Sequence, residues 1–274
     1  MHICARRPYM VYQGATISIP NRRRISVPQN EFIDRDRRAL IGAGGALIIS
    51  SGLWPGRALA QTVSKISIGV IGSGHIGSTI GGLWVKAGHP VLFSSRHPDE
   101  LKDLVAGLGE LAQAGTADQA IAFGDVLFIA VPYGALPQIG NDYGAVLKGK
   151  IMLDACNAVA PRDGDAIADE VEREGVGVVS QKYLSGARIV RAFNSLNYKI
   201  LSAEANRPDP KLAIPIAGDD AEAVQTAAAL VRDAGFDPVV VGKLSDARRF
   251  QRGAPGYGQA VTAAELRQKL SLAP

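Results

Sequence analysis

Between residues 65 and 241, short and nearly continuous apolar runs alternate with longer stretches whose apolar residues gather on one helical face. That rhythm predicts parallel strands joined by crossover helices, because a strand covered on both sides loses the in-out alternation of a half-exposed sheet. The first run, 65–71, enters a glycine-rich turn and a helix over 76–85; the second strand is 91–93. Helix 99–111, strand 112–116 and helix 117–123 follow, with Gly124 as a stop before a strand over 125–131 that ends at Pro132. A helix over 135–147 and a strand over 150–154 complete the first half. The second half predicts a helical piece at 180–184 and strands at 188–193, 212–217 and 238–241. Gly218-Asp219-Asp220 opens a helix through Val231, both aspartates being expected as caps for the first-turn N–H groups. The expected fold is α/β: a Rossmann-type, doubly wound, mostly parallel sheet in a single compact domain, with no internal repeat.

The chemistry begins at the first turn. Gly72-Ser73-Gly74-His75-Ile76-Gly77 stands after a strand and opens a helix. In that context Gly72 permits the tight turn, Gly74 lets the backbone approach a pyrophosphate, and Gly77 lets helix and strand pack closely. The free N–H groups and positive dipole end of the helix face the phosphates. Context is what carries the signal, since Gly42-Ala43-Gly44-Gly45 is equally rich in glycine and follows no strand. At the end of the second strand, where NAD enzymes offer an acidic residue to the ribose hydroxyls, this chain has Ser94-Ser95-Arg96. Two hydroxyls and a guanidinium suit a dianionic ribose phosphate, so the expected cofactor is NADP.

Charge and cysteine content change the picture only once the N-terminus is set aside. Asp36-Arg37-Arg38-Ala39-Leu40-Ile41 matches a twin-arginine export pattern, a glycine-diluted apolar stretch follows, and Ala58-Leu59-Ala60 supplies a small-x-small cleavage signature. Residues 1–60 are therefore expected to be a signal peptide, and 61–274 the NADP-binding domain, exported folded to the periplasm. The apolar stretch is too short for a spanning helix, so no stable membrane span is expected after cleavage. The chain has 30 basic and 26 acidic side chains and a pI near 9.1, but nine arginines and only three acidic residues lie in the first sixty positions. The remainder carries about −2 and no basic cluster, which argues against a nucleic-acid partner. Of two cysteines only Cys156 lies beyond the leader, so the domain needs no oxidising compartment to fold.

Read in order, Ile68-Gly69-Val70-Ile71 with the glycine turn, Ser94-Ser95-Arg96, Gly124-Asp125-Val126 with Ala130-Val131-Pro132, Asp154-Ala155-Cys156-Asn157, Ala192-Phe193-Asn194, Ala217-Gly218-Asp219-Asp220 and Thr262-Ala263-Ala264-Glu265-Leu266-Arg267 resemble the deazaflavin-dependent NADP reductase family. Related domains form the cytoplasmic NADP-binding part of membrane metalloreductases. The resemblance covers about residues 65–270 and implies hydride transfer between NADP(H) and a flat conjugated acceptor, a deazaflavin, flavin or similar small molecule. It further implies that Gly72, Ser73, Gly74, His75 and Ile76 line the pyrophosphate and Ser94, Ser95 and Arg96 the ribose phosphate. Val131 and Pro132 would flank the adenosine or nicotinamide ribose, and Asn157 and Asn194 would lie near the nicotinamide.

Hydride transfer between two bound rings needs alignment more than a proton donor, and the sequence shows no acid–base set and no metal-ligand spacing, so neither a catalytic residue nor a metal ligand is assigned. His75 is expected at the phosphate, His89 in a solvated turn, and His97 beside Arg96. Cys156 is expected as a small buried hydrophobe, while Tyr133 and Tyr257 stand equally for acceptor contacts or packing. Pro255-Gly256-Tyr257-Gly258 is expected to form a loop near the site. A hydroxyacid or imine dehydrogenase would need a large helical domain, and only about thirty residues follow Val241. A non-catalytic NADP-binding or redox-sensing protein, a metalloreductase-like domain, and a homodimer as the assembly stay open.

Overall fold

The computed structural model describes residues 65–273; the leader expected over 1–60 lies outside them. Among the described residues eight strands form one sheet: β1 (Ile68–Ile71), β2 (Val91–Ser94), β3 (Ala112–Gly115), β4 (Val126–Ile129), β5 (Ile151–Asp154), β6 (Arg188–Arg191), β7 (Ala213–Gly218) and β8 (Asp237–Gly242). Their order is β3-β2-β1-β4-β5-β6-β7-β8. The first six run parallel and give the doubly wound arrangement expected from the alternation. The last two reverse: β7 pairs antiparallel with β6 and parallel with β8.

The described residues hold ten α-helices, nine between strands and one after the last: α1 (His75–Lys86), α2 (Lys102–Leu108), α3 (Ala117–Phe123), α4 (Leu136–Leu147), α5 (Ala160–Asp163), α6 (Asp165–Glu174), α7 (Val176–Tyr183), α8 (Tyr198–Glu204), α9 (Ala221–Asp233) and α10 (Ala263–Lys269). The helix expected over 99–111 is two pieces, a 3-10 turn at Pro98–Leu101 and then α2, which ends at Gly109 in the left-handed region. The helical piece expected at 180–184 is the end of α7, which starts at Val176 after Gly175. Asp220 caps α9 by accepting from the Ala223 N–H at 2.8 Å, but Asp219 does not join it: its carboxylate accepts from the Leu244 N–H at 3.1 Å.

Alternate strand residues feed two cores. On one face Val70, Phe93 and Phe128 pack with Ile80 and Trp84 of α1 and with Val231 of α9. Trp84, Phe128, Phe193 and Phe236 meet edge to face there, and the Trp84 indole N–H donates to the Leu230 carbonyl at 2.8 Å. On the other face Leu127, Ile129 and Met152 pack against Leu136, Val179 and Phe250. His89 is not solvated as its turn position suggested. It is 2 % exposed, with Nδ1 2.9 Å from the Ile66 carbonyl and Nε2 2.8 Å from the Asp233 carboxylate, so it ties the start of β1 to the end of α9. No described helix is long and apolar enough to cross a membrane.

Candidate functional site

Because β2, β1, β4, β5 and β6 are consecutive in a parallel sheet, their carboxyl ends bring Ser94–Arg96, Gly72–Gly77, Val131–Pro132, Asn157 and Asn194 onto one edge in that order. Four strand spacings make that edge about 19 Å long, enough for an extended dinucleotide. Its centre is the switch point between β1 and β4, where crossovers leave in opposite directions and open sheets place their ligands.

At β1 the turn has the geometry its glycines permit. Gly72 has φ +94°, and a Cβ there would fall 2.6 Å from a Val131 methyl and 2.7 Å from the Ala130 carbonyl. A Cβ on Gly77 would fall 2.0 Å from the Gly72 carbonyl, so only glycine lets α1 start this close to the strand. Gly74, the N-cap of α1, has open space where a side chain would project. No side chain caps this helix and no acidic residue lies in its first turn, leaving donors and the positive dipole end available to an anion. These features fit a pyrophosphate.

Around that turn the side chains sort themselves. The Ser73 hydroxyl donates to the Ser94 carbonyl at 3.0 Å, binding the turn to the end of β2. Ser94 is buried and its hydroxyl donates inward to the Val70 carbonyl at 2.8 Å, so it cannot donate to a ribose phosphate. Ser95 accepts from the His97 N–H at 3.0 Å, which leaves its own proton to donate. Arg96 is exposed and has no carboxylate partner among the described residues. Ser95 and Arg96 are thus the groups a phosphate can reach. His75 stacks on Tyr198, ring centroids 4.2 Å apart and planes within 7°, so its ring walls the turn rather than pointing from it alone.

At the opposite end the residues form a rigid floor. Asn157 donates to the Asn194 carbonyl at 2.7 Å, and Asn194 donates to the Phe250 carbonyl at 3.3 Å, while the buried Asn194 Oδ1 has no partner. An unpartnered buried acceptor at a ligand edge fits a carboxamide N–H. Phe193, just before it, has φ +60°, a strained setting for a bulky residue, and its ring is locked among Trp84, Phe128 and Phe236. Below lies a feature the sequence reading missed. Asp154 and Arg191 are register partners on β5 and β6, both fully buried, with Nη1 and Oδ2 2.5 Å apart. Arg191 also donates to the Cys156 carbonyl and Asp154 accepts the Cys156 N–H at 2.8 Å. The available signal was an arginine inside a strand covered on both faces, where a charge must be paired.

Further contacts close the site. Asp163 accepts the Gly134 N–H at 3.0 Å and the Val159 N–H at 2.8 Å, tying the loop after β4 to the loop after β5. Burial alone would raise its carboxyl, but the Arg162 hydrogen bond and these N–H groups hold it below the usual aspartate value. Tyr133 takes the packing role: it is buried, donates to the Val176 carbonyl at 2.8 Å, and burial with the nearby Asp154 charge pushes its phenol up. Cys156 is buried, and burial first and Asp154 second raise its thiol, which removes it as a nucleophile. The 255–258 loop does reach the site, through the Gly258 N–H on the Ser195 carbonyl at 2.8 Å.

Comparison with known proteins places this geometry. The family model described as NADP oxidoreductase, coenzyme F420-dependent, matches residues 67–158. Metalloreductase STEAP3 of Rattus norvegicus is 27% identical over 187 residues, covering 67% of this chain and 35% of that protein. Metalloreductase STEAP2 of Homo sapiens is 25% identical over 190 residues, covering 68% and 35%. This chain therefore spans about a third of the length of those relatives. Among solved structures, the hypothetical protein SMa0349 of Sinorhizobium meliloti superposes with a TM-score of 0.63 at 27% identity, covering 73% of this chain and 96% of that one. A structure described as a candidate F420-dependent NADP-reductase, from Arthrobacter sp. FB24, has a TM-score of 0.54 at 20% identity, covering 67% and 88%, and supports the fold. Over residues 67–158, from the first strand of the sheet to just past the asparagine after the fifth, this Rossmann-type fold is similar to the F420-dependent NADP oxidoreductase family.

Proposed function

We propose that this chain is an oxidoreductase that holds NADP(H) along the β2-to-β6 edge and passes a hydride between the nicotinamide and a flat conjugated acceptor such as a deazaflavin or flavin. The observation that carries the choice of NADP over NAD is the pairing of Ser95 with an uncompensated Arg96 at the end of β2, where an acidic residue would repel a phosphate. The N–H groups after Gly74 hold the pyrophosphate, Val131 and Pro132 bound the ribose, and Asn157 and Asn194 orient the carboxamide. When bound, the nicotinamide supplies or receives the hydride at its ring carbon. The chain's own part is alignment: the ion pair under Cys156, the strained Phe193 and the Asp163 tie fix the floor, so positioning rather than proton transfer lowers the barrier.

Calorimetry with NADP and NAD tests the first half: tighter NADP binding, lost on Arg96→Ala by on the order of 1–3 kcal/mol, is the expected result. Equal affinities in the wild type defeat the assignment. Stopped-flow oxidation of bound NADPH with deazaflavin, flavin, quinone and ferric complexes tests the second. A ferric acceptor is the second reading, drawn from the relatives named as metalloreductases. Intact NADPH binding with no oxidation by any of the four establishes a non-catalytic, redox-sensing role instead. We also propose that residues 1–60 direct export of the folded, loaded domain to the periplasm.

A further inference from the structure

Beside the nicotinamide end lies a cavity that the hydride reading does not use. It is bounded by Glu172, Arg173, Arg248, Gln251, Arg252, Gly253 and Ala254 and has a volume of about 440 Å³, within the range of small-molecule sites. The fold builds it. The 3-10 segment Leu244–Phe250 packs along α7, and at its end the Phe250 carbonyl accepts from Asn194, which fixes Gln251 to Ala254 at the ligand edge of the sheet.

Three guanidinium groups and one carboxylate line this cavity. Arg248 is held in place by donating to the Glu172 and Arg173 carbonyls at 3.1 and 2.9 Å, at the end of α6. Arg173 and Arg252 form no salt bridge with any described carboxylate. Gln251 is only 9 % exposed, and its Oε1 accepts the buried Val176 N–H at 3.0 Å. That bond fixes the amide's orientation and leaves Nε2, which has no partner among the described residues, as a donor for the cavity. Like charges gathered around a concave surface repel one another until an anion enters, and a guanidinium fork beside a fixed amide suits planar oxygen pairs.

We propose that this cavity binds a compact ligand carrying two or more carboxylate or phosphate groups, held by Arg173, Arg252 and Gln251 with Arg248 contributing charge. The proposal stands apart from the nucleotide reading, whose anion contacts are at Gly72–Gly77 and Arg96.

The test is calorimetric titration of the full-length chain with citrate, pyrophosphate and inorganic phosphate, repeated on Arg173→Ala/Arg252→Ala and on Arg96→Ala. Saturable one-to-one binding is expected for citrate or pyrophosphate, whichever is tighter naming the ligand as polycarboxylate or phosphate ester. The double variant should weaken it by on the order of tenfold or more while Arg96→Ala leaves it unchanged. Both substituted arginines are at the surface and neither caps a helix, so an unchanged melting temperature is expected as the control. No saturable binding of any anion up to about 10 mM, unaltered binding in the double variant, or loss on Arg96→Ala instead, each overturns the proposal.

Discussion

Two residues two positions apart at the end of β2 divide the labour in a way that substitution can separate. Ser94 holds two strands together through its bond to the Val70 carbonyl, whereas Arg96 faces solvent. Ser94→Ala should therefore lower unfolding free energy by about 0.5–1.5 kcal/mol and leave the NADP-to-NAD affinity ratio intact. Arg96→Ala should do the reverse, and urea titration beside calorimetry reads both. Gly72→Ala is expected to abolish nucleotide binding in a chain that still folds, since a methyl at φ +94° collides with Val131 and the Ala130 carbonyl. Binding at wild-type affinity in that variant argues against the turn as the pyrophosphate site. The glycine positions were legible because a missing side chain is visible in sequence. The inward turn of Ser94 was not, because it depends on a carbonyl of a neighbouring strand.

At the scale of elements, strand positions were largely readable from the apolar runs, while their order and direction were not. The reversal of β7 and the pairing of Asp154 with Arg191 need knowledge of which strands are neighbours, and 37 residues separate those two side chains. Helices α5 to α7 were read only in part, because Gly164 and Gly175 cut them into pieces of four to ten residues. Arg191→Met should cost about 3–5 kcal/mol, because it strands the buried Asp154 carboxylate, whereas an Asp154→Leu/Arg191→Met double replacement should recover much of that loss. Additive losses in a denaturation cycle count against the coupling. The element ties also set a pH dependence. Asp163 and Asp233 both sit below the ordinary value of 3.8, despite burial that opposes it, because Arg162 with two backbone N–H groups stabilises one carboxylate and His89 with Lys65 the other. Groups with depressed folded values contribute stability above about pH 4 and lose it as pH falls through those values. Asp163→Asn should accordingly be less stable than wild type at pH 7, with the gap narrowing below about pH 4 in urea melts.

For the whole molecule, the export reading predicts that Arg37→Lys/Arg38→Lys leaves the protein in the cytoplasmic fraction, still folded and still binding nucleotide. Periplasmic recovery of that variant at wild-type yield sinks the twin-arginine assignment. The antiparallel pairing of β7 with β6 has a different consequence. Because β7 runs against β6 and β8 runs parallel to β7, β8 ends heading away from the ligand edge, and the Leu244–Phe250 segment, held at Leu244 by Asp219, turns back to meet Asn194 through the Phe250 carbonyl. That returning segment thus joins the outer strand to the asparagine floor. A nucleotide seated against Asn194 should therefore slow amide deuteration along Leu244–Phe250, through the Phe250 carbonyl that Asn194 holds.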